Sequence, residues 1–352
     1  MRKIALLDLD AFFASAEVLR DPSLANRPFA VGGGGPRGVV ATANYLARQF
    51  GVRSAMSGAQ ALRLCPQLHF VKPDHAYYKS LSKQVLACLH RVTDQVEPAS
   101  IDEFYLDLTD NALHHGSASL TMEAIRTDIR ALGITGSAGI SNQKMVAKIA
   151  SEERKPDGQF LVAPDQVVSY LAGLSLKKIP GVGPKSLARL AQYGFHLGRD
   201  IQQADVVHIQ QILGDKSGWL LHQRCAGIDA REVVTERVRK SVGVEETLTF
   251  DFQQLRHAEL FMERFLLPKL KQRLGGHSWQ DMPIKSQTVK LKFTDFNQTT
   301  VSTTRQIASP SVFYRLLHEA WERRGQRAIR LIGISVALPE PDEQQQLELE
   351  LE

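Results

Sequence analysis

The alternation of apolar and polar residues changes period several times along the chain, and each change predicts an element. Residues 4–7 are an unbroken apolar run, the pattern of a strand buried on both faces, and the run stops at Asp8. Phe12, Phe13, Ala14, Ala16 and Val18 then begin a short helix. Residues 29–31 and 38–41 read as two strands joined by a hairpin turn at Gly32-Gly-Gly-Gly35. Thr42 can cap a helix that Gly51 ends, and a further helical stretch opens at Tyr78-Lys79 and runs to about residue 91. Phe104-Tyr-Leu106 favours a strand, 121–132 an amphipathic helix, 135–140 a strand and 144–151 a helix. After residue 240 the order is strand 241–249, helix 255–274, strands 287–296 and 299–307, helix 311–324 and strand 330–338. In Val289-Lys-Leu-Lys-Phe293 the alternation is clean, with Val, Leu and Phe inward and both lysines outward; the next strand carries Thr300, Ser302 and Thr304 on one face.

Such a mixture is α+β, and 352 residues suffice for two or more domains with a real core. Apolar content of 43% and charged content of 23% fit a soluble globular chain. No apolar run approaches the ~20 residues of a membrane span, and Arg2-Lys3 leads too short an apolar segment for a signal peptide, so a cytoplasmic protein without a membrane partner is expected. Cys65, Cys88 and Cys225 are too scattered for a disulfide framework or a zinc site. The net charge of +5 hints mildly at a polyanionic partner. It conceals a contrast: residues 240–336 hold 15 Lys+Arg against 9 Asp+Glu, whereas 337–352 hold 6 acidic residues and no basic one. The acidic tail is expected to be disordered when free.

The densest chemistry is Ser100-Ile-Asp102-Glu103. Adjacent side chains on a regular strand point to opposite faces, so two neighbouring carboxylates serve one site only at a turn, at a strand end or around a shared ligand; a hard cation such as Mg²⁺ suits them. A charged turn is the plain alternative. A second acidic pair, Asp8 and Asp10, falls on one face at the end of the first strand, where an unpaired carboxylate is costly. Two acidic strand ends brought together make a site for one or two divalent cations, suited to in-line phosphoryl displacement. Gly32-Gly-Gly-Gly35 is no phosphate loop, because the Gly-Lys-Ser/Thr ending and its helix are missing. Tyr45 and Arg48 share a helix face, where an Arg fork matches phosphate oxygens; a solvated face is the alternative. Ile179-Pro-Gly181-Val-Gly183-Pro-Lys185, following a helix over 174–179, reads as a helix-hairpin-helix turn whose amides face a DNA phosphate without reading bases.

Taken together, Asp8-Leu-Asp-Ala-Phe-Phe13, Ser100-Ile-Asp-Glu103 and the stretch from Met145 through Lys148 to Lys155-Pro156 resemble the Y-family of DNA polymerases, in particular its bacterial DinB type. The resemblance runs from Met1 to about Leu338. It implies a multi-domain right hand: a ferredoxin-like palm (1–10 and 75–164), small fingers (11–74), a helical thumb (165–229), a linker (230–240), an α/β little finger (241–338) and a flexible tail (339–352). It further implies two Mg²⁺ held by Asp8, Asp102, Glu103 and the Leu9 carbonyl. Phe13 becomes a gate against the nucleotide 2′-hydroxyl, with Phe12 beside it and Tyr78 possible beneath. Thr42, Tyr45, Arg48 and Lys155 become triphosphate contacts, while for Lys148 an exposed helix lysine is the better reading. Gly181, Gly183, Lys185, Lys290 and Lys292 are expected on DNA, and Gln346, Leu347, Leu349 and Leu351 on the sliding clamp. Primer-template DNA, deoxynucleoside triphosphates and the clamp are the implied partners of a monomer. No stretch remains for a proofreading nuclease, so low fidelity and tolerance of lesions are expected. Phe104 departs from the family's usual Ala beside the metals. The rivals are an accessory DNA-binding protein without turnover and a palm-type nucleotide cyclase, the latter disfavoured by the thumb turn.

Overall fold

A computed structural model describes residues 1–340, which fall into two compact units, one of Met1–Glu236 and one that begins at Arg237. In the first unit the chain runs through β1 (Ile4–Leu9), α1 (Phe12–Arg20), β2 (Phe29–Gly32), β3 (Val40–Ala43), α2 (Tyr45–Gln49), α3 (Gly58–Leu64), β4 (His69–Val71) and α4 (His75–His90). It continues through β5 (Val96–Pro98), β6 (Glu103–Asp107), α5 (Ala118–Ala131), β7 (Gly136–Ser141), α6 (Lys144–Ser151) and β8 (Gln159–Leu161). Five short helices complete it: α7 (Val167–Gly173), α8 (Pro184–Gln192), α9 (Gly198–Gln203), α10 (Val206–Leu213) and α11 (Asp215–Cys225).

The central sheet has the order β5-β6-β1-β7-β8, with β1 antiparallel to both neighbours. Every residue of β1 is buried, as an unbroken apolar run requires of a strand covered on both faces. Leu7, Leu9, Phe104, Leu106 and Ile140 pack with α4 and α5 residues on one face, and Ile4, Leu6 and Tyr105 meet Ala147 of α6 on the other. Phe104 thus enters the core, since period 2 turns it away from the side that carries Glu103. Helix α6 lies close on β7 because Gly139 has no side chain: a Cβ there would stand 1.9 Å from the Ala147 carbonyl oxygen. A smaller sheet, β3-β2-β4, carries the predicted hairpin.

Two local expectations change. Thr42 lies within β3 and caps nothing; Asn44 caps the shorter α2, its side chain accepting from the Ala47 amide while also serving Phe29 and Arg27. The helix expected over 174–179 is a single 3₁₀ turn, Leu176–Lys178. The stretch 230–240, expected as a linker, is fastened to the first unit over its opening residues: Arg2 bonds the Arg231 carbonyl and Glu97 accepts from the Val234 amide, while Asp229 just before it accepts from the Met145 amide.

The second unit is a four-stranded sheet, order β11-β10-β12-β9, built from β9 (Ser241–Phe252), β10 (Ser286–Phe293), β11 (Gln298–Thr304) and β12 (Ile329–Ala337). The helix expected over 255–274 is α12 (Leu255–Phe261) and α13 (Leu267–Arg273), joined by a π-helical turn at Met262–Leu266 just before Pro268; α14 (Pro310–Glu322) follows β11. Val289, Leu291 and Phe293 are buried while Lys290 and Lys292 face outward, as the alternation dictates.

Gly139→Ala should lower unfolding free energy by about 2–4 kcal/mol in chemical denaturation, the scale of overpacking against immovable backbone. Stability equal to the parent chain would show that α6 can move off the sheet.

Candidate active site

Strand pairing assembles the acidic residues. Asp8, at the end of β1, stands opposite Glu103, at the start of β6, and residues directly opposite share a face of the sheet. Asp102 sits in the turn before β6, whose carbonyl accepts from the Leu9 amide at 2.9 Å. Ser100 shapes that turn. Its hydroxyl donates to Asp102 Oδ1 at 2.5 Å and accepts from the amides of Asp102 and Glu103. Ser82 pins the same turn from α4 by donating to the Ile101 carbonyl at 2.7 Å. Neither role is legible in the sequence, where nothing ties Ser82 to a turn some twenty residues on.

Two lysines hold the carboxylates. Lys155 Nζ is 2.7 Å from Asp8 and 2.6 Å from Glu152, and Lys148 Nζ donates to both oxygens of Glu103 at 2.6 and 2.5 Å. Lys148, expected as a solvated helix lysine, is therefore the direct partner of Glu103. Burial pushes the Asp8 carboxyl up to about 7, against the opposing pull of Lys155. Burial also works against the charge on Lys155, but Asp8 and Glu152 more than reverse it and raise its pKa. The acidic side chains do not form a finished cage: among the described residues no three His, Cys, Asp or Glu close around a common point. Their chemistry nevertheless fits a hard divalent cation, with Asp8, Leu9 and Asp102 on one cleft and Glu103 directly across from Asp8.

That cleft, about 220 Å³, is lined by Asp8, Leu9, Ala11, Phe12, Phe13, Ala41, Thr42, Arg48, Ser54, Asp102 and Lys155. One wall is flat. The Phe13 ring stacks on Tyr78 with centroids 4.3 Å apart and planes 17° from parallel, and the Tyr78 hydroxyl donates to buried Glu17 at 2.5 Å. Burial, then this bond to Glu17, raises the Tyr78 pKa. The Arg48 guanidinium lies over the Tyr45 ring at 4.8 Å and its Nε donates to the Ala43 carbonyl. The Tyr45 hydroxyl is buried without a partner, an orphaned donor that calls for an acceptor. Ser54 was not foreseen, because nothing in its sequence surroundings marks it. Asp10 turns away from this chemistry: it is 1% exposed and accepts from Thr135, Ser137 and the Asp157 amide, each at 2.8 Å, so it braces strands.

The remaining predicted contacts lie elsewhere. In the helical region Gly181 has φ +86°, which glycine adopts freely, and Arg224 of α11 donates to the neighbouring Pro180 carbonyl. Gly183 is the N-cap of α8 and Lys185 is exposed just inside it. In the second unit Lys290 reaches Glu245 at 2.8 Å across Gly333, and Lys292 lies 5.2 Å from the centroid of the exposed Phe296 ring. A separate cleft of about 430 Å³ there includes Gly243, Arg273, Lys290 and Gly333 in its lining. Arg273, absent from the sequence reading, donates to the Gly243 carbonyl. Gln346, Leu347, Leu349 and Leu351 lie outside the described residues.

Residues 7–152 match the impB/mucB/samB family, 239–349 that family's C-terminal domain, and 177–229 the thumb domain of DNA polymerase-iota. Among curated proteins the chain is 44% identical to a DNA polymerase IV of Colwellia psychrerythraea over 99% of both chains. It is 45% identical to one of Shewanella halifaxensis over 96% of this chain and 94% of the relative. Among solved structures, a chimaeric Y-family DNA polymerase of Dbh and Dpo4 superposes with a TM-score of 0.86 at 25% identity, covering 95% of this chain and 98% of the other. DinB from Sulfolobus solfataricus gives 0.65 at 26% identity, with the same coverage.

Because a carboxyl must lose its proton to bind a cation, and Asp8 holds its proton to about pH 7, Mg²⁺ or Mn²⁺ binding should strengthen as pH rises to about 7 and level off above. Calorimetry at pH 6 in buffers of different ionisation enthalpy should register proton release that Asp8→Asn abolishes. Identical release from that variant would place the proton on another group.

Proposed function

The chain belongs to the Y-family of DNA polymerases, low-fidelity DNA-directed enzymes of translesion synthesis, and on that premise we propose that it extends primers by metal-assisted phosphoryl transfer at the Asp8–Glu103 cleft. One observation carries this reading: Asp8 and Glu103 face each other across two strands, with Asp102 beside them and a flat aromatic ring and two cations on the same cleft.

Asp8, Asp102, Glu103 and the Leu9 carbonyl would hold two Mg²⁺. When bound, those ions neutralise triphosphate charge and favour ionisation of the primer hydroxyl. The protein's own groups do the positioning. Arg48 and Lys155 supply fixed positive charge for the phosphates, and the Thr42 and Tyr45 hydroxyls donate to their oxygens. Lys155 moves from Asp8 to the phosphates as a nucleotide enters, which frees Asp8 to act as a ligand. Phe13 lies flat against the sugar, and because Tyr78 backs it the ring cannot retreat to admit a 2′-hydroxyl.

The Gly181–Gly183 turn and Lys185 grip duplex phosphates without regard to sequence, and Lys290 and Lys292 meet the backbone from the outer face of the second sheet. Arg273 joins them from α13. Gln346, Leu347, Leu349 and Leu351 anchor the tail to the sliding clamp and raise the local concentration of enzyme at the primer end. The family's C-terminal match extends to residue 349, which takes in Gln346, Leu347 and Leu349 and stops short of Leu351. The enzyme acts as a cytoplasmic monomer; no helix among the described residues is long and apolar enough to cross a membrane.

In primer extension on undamaged and N2-adducted guanine templates, Asp102→Ala should cut turnover by about a thousandfold or more, the scale of losing transition-state charge stabilisation. Phe13→Val should admit ribonucleotides, and unchanged sugar selectivity would remove Phe13 from that role. Deleting 344–352 should abolish clamp binding while leaving extension by the free enzyme intact; undiminished clamp binding would move the contact elsewhere.

A further inference from the structure

The loop that carries Lys155 is anchored two residues later by a residue the mechanism does not use. Asp157 has φ +51°, a left-handed conformation that a non-glycine residue keeps only where its surroundings enforce it. Two elements enforce it. Its amide donates to Asp10 Oδ2 at 2.8 Å, tying the loop to the end of β1. Its carboxylate receives Arg126 Nη2 at 2.9 Å and Arg130 Nε at 2.9 Å, both from α5. Arg126 also donates to the Asp157 carbonyl and, at 3.0 Å, to the Gly136 carbonyl of β7.

Arg126 is 3% exposed, so this guanidinium is buried and fully engaged. Burial works against ionising Asp157, and the two arginines more than reverse that and lower its pKa. The registers match. At the end of β1 and just past it, the carboxylates of Asp8 and Asp10, two residues apart, receive Lys155 Nζ and the Asp157 amide, again two residues apart. The loop therefore lies along the strand end with its lysine directed at the cleft. Neither Arg126 nor Asp157 lines that cleft.

We propose that Asp157, clamped between Asp10 and the Arg126–Arg130 pair, is a positioning residue that sets where the Lys155 ammonium stands, so that α5 acts on nucleotide binding through Lys155. The proposal rests on the reading of Lys155 as a triphosphate contact. An ammonium on a loop free to wander presents its charge at the phosphates for only part of the time, which weakens nucleotide binding more than it slows the chemistry of a bound nucleotide.

The test is a double-mutant cycle on the full-length enzyme, read as KM for the incoming deoxynucleotide and kcat in single-nucleotide insertion, with primer-template Kd as a check on folding. Arg126→Lys keeps the charge but loses the fork. Because a buried arginine can be essential to folding, half-exposed Arg130→Gln provides the second arm. Each should raise KM by about fivefold with kcat and DNA binding little changed, and should add almost nothing once Lys155→Ala is present. If KM effects multiply in the double variants, or fall on kcat and DNA binding alike, the clamp is merely structural and the proposal is overturned. If Lys155→Ala alone leaves KM unchanged, the triphosphate reading of Lys155 fails and takes this inference with it.

Discussion

Two carboxylates facing each other at the ends of buried strands are the constraint that the rest of the site answers. Asp8 and Glu103 share a sheet face, and Asp8 is largely out of water, so their charges are costly to desolvate and repel each other. The fold meets that cost with cations of its own. Lys155 comes from the loop after α6 and Lys148 from α6 itself, and α6 is brought within reach because Gly139 lets it lie directly on β7. A small residue in a strand, a helix seated tightly on it and a lysine over a carboxylate are successive links of one chain of cause.

Much of this architecture is legible in the residue pattern, because period and burial are local properties. The apolar run of β1, the alternation in β10 and the positions of α5, α6 and α14 follow from side-chain spacing alone. The acidic strand ends are legible as well, since a carboxylate closing an apolar run demands a reason. Placing Phe13, Arg48 and Lys155 in one site needed the family resemblance, and their shared cleft agrees with it.

What the pattern hides is pairing across distance. Asp8 and Asp10 look equivalent in sequence, yet one faces the cleft and the other is saturated by Thr135, Ser137 and the Asp157 amide, all more than a hundred residues away. Lys148 reads as a solvated helix residue until Glu103 is brought beneath it. Asn44 outcompeted Thr42 as a cap because it also closes bonds to Phe29 and Arg27, which only the hairpin places nearby. Phe104 looked like an intrusion beside the metals and proved a core residue, a consequence of strand period.

The stacked wall of the cleft has a further consequence. Phe13 rests on Tyr78, Tyr78 is fixed by its hydroxyl to Glu17, and Glu17 is itself buried in α1. A ring backed in this way has a partner already stacked behind it and a buried anchor behind that partner. On the proposed reading of Phe13 as a sugar gate, the selecting surface is a face braced from behind before any nucleotide arrives.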